Sequence, residues 1–357
     1  MKILHLDLGR EMRGGQRQVL YLMRRLHAAP GFSTLLAAPR GCPLGAAARE
    51  AGLTVCDLPG RLGWDPRSLW ALRALVLRQG VDVLHTHCAA SALLGALLKG
   101  LTGARLVHSR RVSYPLRPGP GRAKYLAGDA VACVSREIAQ VMARGGVPGA
   151  RLSVIHSGID PALYARAAAT PLPERPVLGV VGALTPQKGV GVFLEALAAL
   201  ARRAPGLGWR ALVVGDGPLG PGLRARAEAL GLGGRVEFTG WRESAAVLGE
   251  LSVLAVPSVD GEGSSATIKE GWAARRPVVC SDLPSNLELV EPGVSGLACP
   301  RGDAPALAAA LERLCAPGAD GAALAAGLVR GGARRLEAFT EAAMAQAYMD
   351  LYARLAG

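Results

Sequence analysis

Aromatic side chains are scarce in this chain, and several other features are missing. Phe, Trp and Tyr make up 4 % of its 357 residues, and no segment interleaves them with basic residues. Because single-stranded nucleic acid is usually bound by basic and aromatic surfaces, this scarcity argues against a nucleic-acid-binding protein. No apolar run reaches the roughly 18–20 uncharged residues that a membrane-spanning helix needs. The N-terminus, which Asp7 interrupts, predicts a strand rather than a signal peptide.

The seven cysteines are scattered, odd in number and without a C-x-x-C pair. This pattern argues against a disulfide framework and predicts a reduced, cytosolic compartment. His85 and His87 end a predicted strand. Two histidines are too few ligands for zinc, so we predict no metal.

Acidic residues are scarce in the first half of the chain. Residues 1–170 hold 23 Lys and Arg against 9 Asp and Glu, whereas residues 171–357 hold 18 against 19. Such an imbalance attracts anionic partners, here a membrane surface, an anionic glycolipid or a nucleic acid. The alternative is a solubilising excess of Arg produced by biased codon usage.

Short apolar runs alternate with amphipathic helical runs, which is typical of α/β folds with parallel sheets. The predicted strands before residue 160 cover 2–8, 33–38, 53–58, 81–85, 105–108, 130–134 and 152–155. Segment 165–176 contains three prolines and no periodicity, which indicates a linker. The later strands cover 177–181, 209–214, 236–239, 253–256 and 277–280.

This alternation predicts two Rossmann-like α/β domains, residues 1–165 and 172–338, on either side of a linker. The carboxyl ends of their strands would face a central cleft, where ligands of open α/β sheets bind. A long final helix at about 340–357 is expected to pack back on the first domain.

Three glycine turns follow predicted strands. Gly14 and Gly15 open the first helix, and such glycines let a phosphate approach a helix N-terminus. They do not form G-x-G-x-x-G, so a nicotinamide dinucleotide fingerprint is absent. Gly182 starts the turn that carries Lys188, whose ammonium can stabilise a leaving diphosphate. Gly215 lies in a third turn, which is a weak signal alone.

Two glutamates eight positions apart are the most informative feature. Glu262 and Glu270 flank a turn of small residues between the strand at 253–256 and the next helix. Backbone amides at such a turn face an anion, assisted by the helix dipole, while the carboxylates hold sugar hydroxyls. The turn residues are Gly263, Ser264, Ser265 and Ala266, and the serines are typical helix-capping residues. This pattern predicts a nucleotide-sugar site.

A basic loop follows the predicted strand at 105–108. Arg110 and Arg111 lie there, and His87 ends the neighbouring strand. Given the charge asymmetry, these residues are candidates for contact with an anionic acceptor.

Taken in order, these segments resemble retaining glycosyltransferase family 4, whose architecture is GT-B. The resemblance covers nearly the whole chain. Besides the glycine turns and the two glutamates, it includes D-V-L-H-T-H (82–87), V-I-H-S-G-I-D (154–160), V-V-G-D-G-P (213–218), R-P-V-V (276–279) and G-V-S-G-L (293–297).

The resemblance implies transfer of a sugar, with retention, from a nucleoside-diphosphate sugar to an acceptor hydroxyl. No metal or other cofactor is implied, and the sugar nucleotide is the co-substrate. The first domain would be the acceptor side and the second would bind the nucleotide sugar. The implied roles are Glu262 beside the donor sugar, amides from Gly263 to Ala266 on the diphosphate, Glu270 on the ribose, Lys188 on the distal phosphate and Gly15 on a donor phosphate.

Three segments depart from the family pattern. Ala183 replaces a phosphate-binding arginine, so another cation or the helix dipole must compensate. Ser264 and Ser265 replace a Phe-Gly pair, and their hydroxyls can donate to phosphate oxygens. Arg111 stands where the family usually has a histidine.

The expected mechanism places growing negative charge on the departing diphosphate, where Lys188 and the helix amides stabilise it. The basic first domain suggests a lipid-linked or lipopolysaccharide-core acceptor and leaves open an association with the inner face of the cell membrane. A sugar-nucleotide epimerase and a glycogen-type phosphorylase share the two-domain plan. An epimerase would need no acceptor, and a phosphorylase needs a pyridoxal-bearing lysine and a longer chain.

Overall fold

The computed structural model describes residues 1–59 and 65–356, and the chain divides into two units. The first comprises Met1–Gly158 with Thr340–Gly357, and the second comprises Ile159–Phe339. Residues 60–64, inside the predicted first domain, and Gly357, at the end of the predicted last helix, lie outside the described residues.

The first unit is built on a parallel sheet of seven strands. They are β1 (Lys2–Leu6), β2 (Ser33–Pro39), β3 (Thr54–Leu58), β4 (Val83–Thr86), β5 (Arg105–Arg110), β6 (Ala130–Cys133) and β7 (Leu152–Val154). The spatial order is β3-β2-β1-β4-β5-β6-β7, so the order reverses between β1 and β4. The helices are α1 (Gly14–Ala28), α2 (Pro43–Glu50), α3 (Pro66–Gln79), α4 (Ala89–Thr102), α5 (Pro120–Leu126) and α6 (Arg136–Arg144).

The second unit contains a six-stranded parallel sheet. Its strands are β8 (Val177–Val181), β9 (Arg210–Val214), β10 (Val236–Gly240), β11 (Val253–Val256), β12 (Val278–Ser281) and β13 (Leu297–Cys299), in the order β10-β9-β8-β11-β12-β13. Its helices are α7 (Ala165–Ala169), α8 (Val190–Arg203), α9 (Gly220–Ala229), α10 (Ser244–Val247), α11 (Ala266–Ala273), α12 (Pro284–Leu287), α13 (Ala304–Cys315) and α14 (Ala319–Leu336).

Both faces of this second sheet are covered. Leu178 and Val180 of β8 pack into one apolar cluster with α8 and α13, while Val177 belongs to the cluster on the opposite face. Strands buried on both faces read as continuous apolar runs, which explains why the sequence pattern located them well.

The last helix, α15 (Glu341–Ala356), packs within the first unit, as predicted. Met344, Tyr348 and Tyr352 join the cluster around Ile3 and Leu22, so the helix covers the sheet beside α1. The fold prediction of two parallel-sheet α/β domains is therefore confirmed.

The predicted linker is wrong in its first part. Segment 165–176 begins with α7, and a 3-10 helix, Pro161–Tyr164, precedes it. Tyr164 and Ala167 are buried in the core of the second unit, so the chain changes unit at Gly158 and not at 165. The Ala-rich composition hid the helix because it has little apolar periodicity.

Within the described residues, no helix is both long enough and apolar enough to cross a membrane.

Candidate functional site

The sheet order of the second unit reverses between β8 and β11, which pair directly through Val180 and Ala255. Ligands of open α/β sheets bind beyond the carboxyl ends of strands at such a reversal. The turn after β8 carries Gly182 and Lys188, and the loop after β11 carries Glu262. Both predicted segments therefore leave the sheet at the same point.

Lys188 and Glu262 are in direct contact. The Lys188 ammonium donates a hydrogen bond to Glu262 Oε1 at 2.6 Å. The Glu262 side chain is 8 % exposed, whereas the Lys188 side chain is 31 % exposed. The ion pair thus joins a buried carboxylate to an amine that solvent and ligands can reach.

Hydrogen bonds behind the pair fix the carboxylate. Ser258 Oγ donates to the same Glu262 oxygen at 2.6 Å, and Ser281 Oγ donates to the Ser258 carbonyl at 2.5 Å. Asn286 Nδ2 donates to the Ser281 carbonyl at 3.1 Å. In the loop itself, the Val259 amide donates to the Gln187 carbonyl at 2.8 Å. The turn with Lys188 and the loop with Glu262 are therefore held in one arrangement.

Two glycines let the strand ends approach each other. Gly215 has φ of +134°, and a Cβ there would lie 1.9 Å from the Gly182 carbonyl oxygen. Gly182 itself has φ of +151°, and its amide donates to the Val214 carbonyl at 2.9 Å. No larger residue fits at Gly215 without moving the turn that leads to Lys188.

The start of α11 follows Gly263 and is rich in donors. Ser265 is the N-cap residue, but its hydroxyl makes no capping bond; it is buried and has no partner among the described residues. Ser264 does not cap the helix either, because its hydroxyl accepts a hydrogen bond from the Lys269 ammonium at 2.7 Å. The expected capping role of the serines is therefore wrong. The amides of the first helical turn, which begins at Ala266, have no intrahelical carbonyl to bind.

Glu270 lies in α11 and is partly buried. Burial lowers the pKa of Lys269, and the negative charges of Glu270 and Glu262 partly oppose that effect. Both glutamates therefore act on the same buried lysine. Sequence reasoning missed Lys269. The available signal was a cation three residues before the buried Trp272, on the apolar face of the helix.

In the first unit, Gly14 and Gly15 form the first residues of α1. A Cβ on Gly14 would meet no atom within 4 Å, and one on Gly15 would lie 3.8 Å from Arg111 Cδ. The described residues therefore do not require glycine at either position. The start of α1 is open.

His87 is a buried member of a hydrogen-bonded histidine chain. Its Nε2 lies 2.9 Å from His5 Nδ1, and Arg111 lies 3.5 Å from its Nδ1. Burial lowers the pKa of His87 well below its usual value, and neighbouring His85, His5 and Arg111 act in the same direction. The ring is therefore neutral at pH 7.

Nitrogens of His5, His85 and His87 lie within 4.8 Å of one another. The sequence predicts a structural role for His5, which pairs with His85 across β1 and β4 and is buried in this cluster. Both His85 nitrogens have partners, Tyr352 at 2.6 Å and Ser109 at 2.8 Å. The cluster is thus a hydrogen-bonded network whose nitrogens are largely engaged.

Arg110 does not join His87 and Arg111. Its guanidinium is buried and donates to the Tyr114 carbonyl at 2.5 Å and to the Tyr125 hydroxyl at 3.2 Å. Successive strand residues point to opposite faces of a sheet, so Arg110 and Arg111 point apart. The bond from Arg110 to the Tyr114 carbonyl anchors the following loop. These contacts give no support to its predicted contact with an acceptor, which stays a prediction.

Comparisons with known proteins agree with this architecture. A family model described as "Glycosyltransferase Family 4" matches residues 12–163, and one described as "Glycosyl transferases group 1" matches residues 175–316. A D-inositol 3-phosphate glycosyltransferase of Salinispora tropica is 30 % identical over 342 residues, which cover 84 % of this chain and 70 % of that protein. The chain belongs to glycosyltransferase family 4.

Solved structures share the fold. Anabaena HepE in complex with UDP and glucose matches with a TM-score of 0.80 at 20 % identity, covering 99 % of this chain and 100 % of that one. The lipopolysaccharide outer core galactosyltransferase WaaB matches with a TM-score of 0.79 at 16 % identity, covering 99 % and 100 %. HepE belongs to the two-domain GT-B type. The chain spans only 37 to 61 % of the length of three further curated relatives.

Proposed function

We propose that this protein transfers a sugar from a nucleoside-diphosphate sugar to an acceptor hydroxyl. The observation that carries the proposal is the 2.6 Å contact between Lys188 and Glu262, at the reversal point of the second sheet. In this pair an ammonium and a carboxylate suited to a sugar hydroxyl meet beside the start of α11. Family membership and the UDP bound by HepE support a nucleotide sugar as the donor.

In the proposed reaction, the bond between the anomeric carbon and the diphosphate breaks while an acceptor hydroxyl attacks the same face of the sugar and gives its proton to the departing diphosphate oxygen. Charge grows on the diphosphate, and Lys188 and the first amides of α11 stabilise it. One preorganised donor of this kind is typically worth about 3–4 kcal/mol in the transition state. Glu262 holds a sugar hydroxyl and Glu270 holds the ribose. Retention and independence of metal are part of the proposal and follow the family resemblance.

The open start of α1 supports a donor-binding role for Gly14 and Gly15. Neither glycine has a positive φ, and the described residues leave room for a Cβ at both. A phosphate group close to the backbone would account for their small size. Arg111 lies beside Gly15. We assign the charge of this arginine to binding of the acceptor or of the diphosphate.

We further propose an acceptor of the cell surface, such as a lipopolysaccharide or a lipid-linked glycan, reached at an anionic membrane. The basic first half of the chain and the lipopolysaccharide enzyme WaaB among the structural neighbours support it. On α3, Trp70 is 58 % exposed and Leu77 is 51 % exposed, next to the exposed Arg78. An apolar surface with basic neighbours is suited to a membrane interface.

A donor screen tests the proposal. UDP-, GDP-, ADP- and TDP-sugars are incubated with the protein, with and without acceptor extracts, and release of the nucleoside diphosphate is measured. We expect release with one donor class, and an NMR spectrum of the product that shows the donor's anomeric configuration. An epimerase would instead yield a changed sugar nucleotide without any acceptor. Wild-type turnover in Lys188→Ala, Glu262→Ala and Glu270→Ala would end the assignment.

Vesicle sedimentation tests the membrane contact separately. Binding to anionic vesicles should be strong at low salt and weaken as salt screens the surface charge. Trp70→Ser should weaken it further. Equal binding to neutral and anionic vesicles would contradict the proposal.

A further inference from the structure

Lys269 is a fully buried lysine directly behind the proposed diphosphate site. Side chains in a helix lean toward its N-terminus, and that of Lys269 extends to the turn before α11. There its ammonium donates to Ser264 Oγ at 2.7 Å and lies 5.5 Å from the centre of the Phe339 ring. A side chain of this length and charge is rarely buried completely.

The surroundings of Lys269 act on its charge in both directions. Burial lowers its pKa to about 7, and the carboxylates of Glu270 and Glu262 partly oppose that effect. Other charged groups near α11 are engaged elsewhere: Lys188 with Glu262, Arg335 with main-chain carbonyls and the Phe339 ring, Arg276 with four main-chain carbonyls, and Asp160 with the Ala162 amide.

The hydrogen bond from Lys269 determines what Ser264 can do. When Lys269 is charged, its ammonium has three donors and no acceptor, so Ser264 Oγ accepts and its own proton must point elsewhere. Next to it, the buried Ser265 hydroxyl has no partner among the described residues. Where the helix begins, the chain thus carries a buried ammonium bonded to one hydroxyl and, at the next residue, a second buried hydroxyl without a partner among the described residues; such donors suit an anion.

We infer that Lys269 is a positioning residue for the leaving diphosphate: it makes Ser264 a donor to a phosphate oxygen and supplies positive charge that the exposed Ala183 cannot. The inference rests on the proposed function. It explains how the departures at Ala183 and Ser264 compensate each other within one site.

The inference has a measurable consequence in proton uptake. At pH 8, a group with a pKa of about 7 is mostly neutral, and a bound diphosphate favours the charged form of Lys269. Binding should therefore take up a proton from solution. Terminal phosphates, with a second pKa of about 6, are almost fully ionised at pH 8 and contribute little.

Calorimetric titration at pH 8 with UDP, GDP, ADP and TDP, in two buffers of different ionisation enthalpy, measures this uptake. We expect between about half and one proton per nucleotide for the wild type, the range for a group with a pKa near 7. Lys269→Met should bind about 10- to 100-fold more weakly, the loss of one charge-assisted hydrogen bond, and take up no proton. Ser264→Ala should bind more weakly while retaining uptake.

A purely structural lysine would behave differently. Its replacement by Met would lower Tm and affinity together, whereas we expect Tm to stay the same or rise, because a buried ammonium is replaced by an apolar chain of similar length. Lys99→Met, which removes an ion pair with Asp129 within the first unit, should leave nucleotide binding unchanged.

Each outcome is decisive. Nucleotide binding by the wild type without proton uptake would overturn the role of Lys269 and leave the proposed function standing. Proton uptake that persists in Lys269→Met would also overturn the role of Lys269 and leave the proposed function standing. No binding of any of the four nucleotides would overturn the proposed function and this inference together.

Discussion

Lys188 Nζ and Glu262 Oε1 lie 2.6 Å apart, so a cation and an anion that the sequence separates by 74 positions form one ion pair. The pair links the turn after β8 to the loop after β11. A bound donor would share both groups, with the diphosphate on the amine and the sugar on the carboxylate.

The ion pair should contribute measurably to the free energy of unfolding. Lys188→Met leaves the buried Glu262 carboxylate with Ser258 as its one side-chain donor in the part of the chain that the structure describes, and should lower the free energy of unfolding by about 1–3 kcal/mol. Glu262→Gln should cost less, because the amide keeps the Ser258 contact. Urea unfolding of both single variants and the double variant gives the coupling energy. Strict additivity of the two losses would contradict the pairing.

Gly215 should not tolerate a side chain. In Gly215→Ala, the new Cβ would lie 1.9 Å from the Gly182 carbonyl, and φ of +134° is strained for alanine. We expect a lower urea midpoint and weaker nucleotide binding, because the turn before Lys188 must move. Gly191→Ala is the matched control: its Cβ meets nothing within 4 Å, and alanine in a helix should be neutral or slightly stabilising. Equal effects of the two substitutions would contradict this account.

Much of the architecture follows from sequence pattern, and the failures have physical causes. Strands buried on both faces, such as the one that contains Leu178 to Val181, are continuous apolar runs, and the sequence pattern therefore predicts them. Helix α14 was missed because Ala and Gly fill it, and these residues blur the apolar periodicity. The linker was misplaced for the same reason.

The candidate site was predictable where backbone position decided it. Lys188 and Glu262 lie at strand ends that parallel topology brings together. Side-chain direction was not predictable: Arg110 and Arg111 are neighbours, yet only Arg111 contacts His87. Lys269 was missed because a helical lysine is usually solvated, and only packing reveals that this one is buried.

Substitutions of Arg110 and Arg111 should therefore have different effects on Tm and turnover. Arg110→Met should lower Tm, because the Tyr114 carbonyl and the Tyr125 hydroxyl lose their buried donor. Arg111→Met should preserve Tm within a few degrees and reduce turnover. Thermal unfolding alongside the donor assay distinguishes the two. A large loss of Tm in Arg111→Met with normal turnover would reverse the assignment.

The buried His108 should make the protein sensitive to acid. Burial lowers its pKa from 6.5 to about 4, so the unfolded chain binds the proton first as pH falls. Stability should then decrease from pH 6.5 toward 4, by up to about 1.4 kcal/mol per pH unit from this group. His108→Gln removes that contribution. Urea unfolding between pH 7.5 and 5.5 should show a smaller decrease for the variant; equal decreases would show that His108 is protonated alike in both states.

The central claim is that Lys188 and the start of α11 bind the diphosphate. Its most direct test is the ratio of dissociation constants for a nucleoside and its diphosphate, such as uridine and UDP, in the wild type and in Lys188→Met. We predict that the variant binds the diphosphate about 10- to 100-fold more weakly while nucleoside affinity is unchanged. An unchanged ratio would contradict the account.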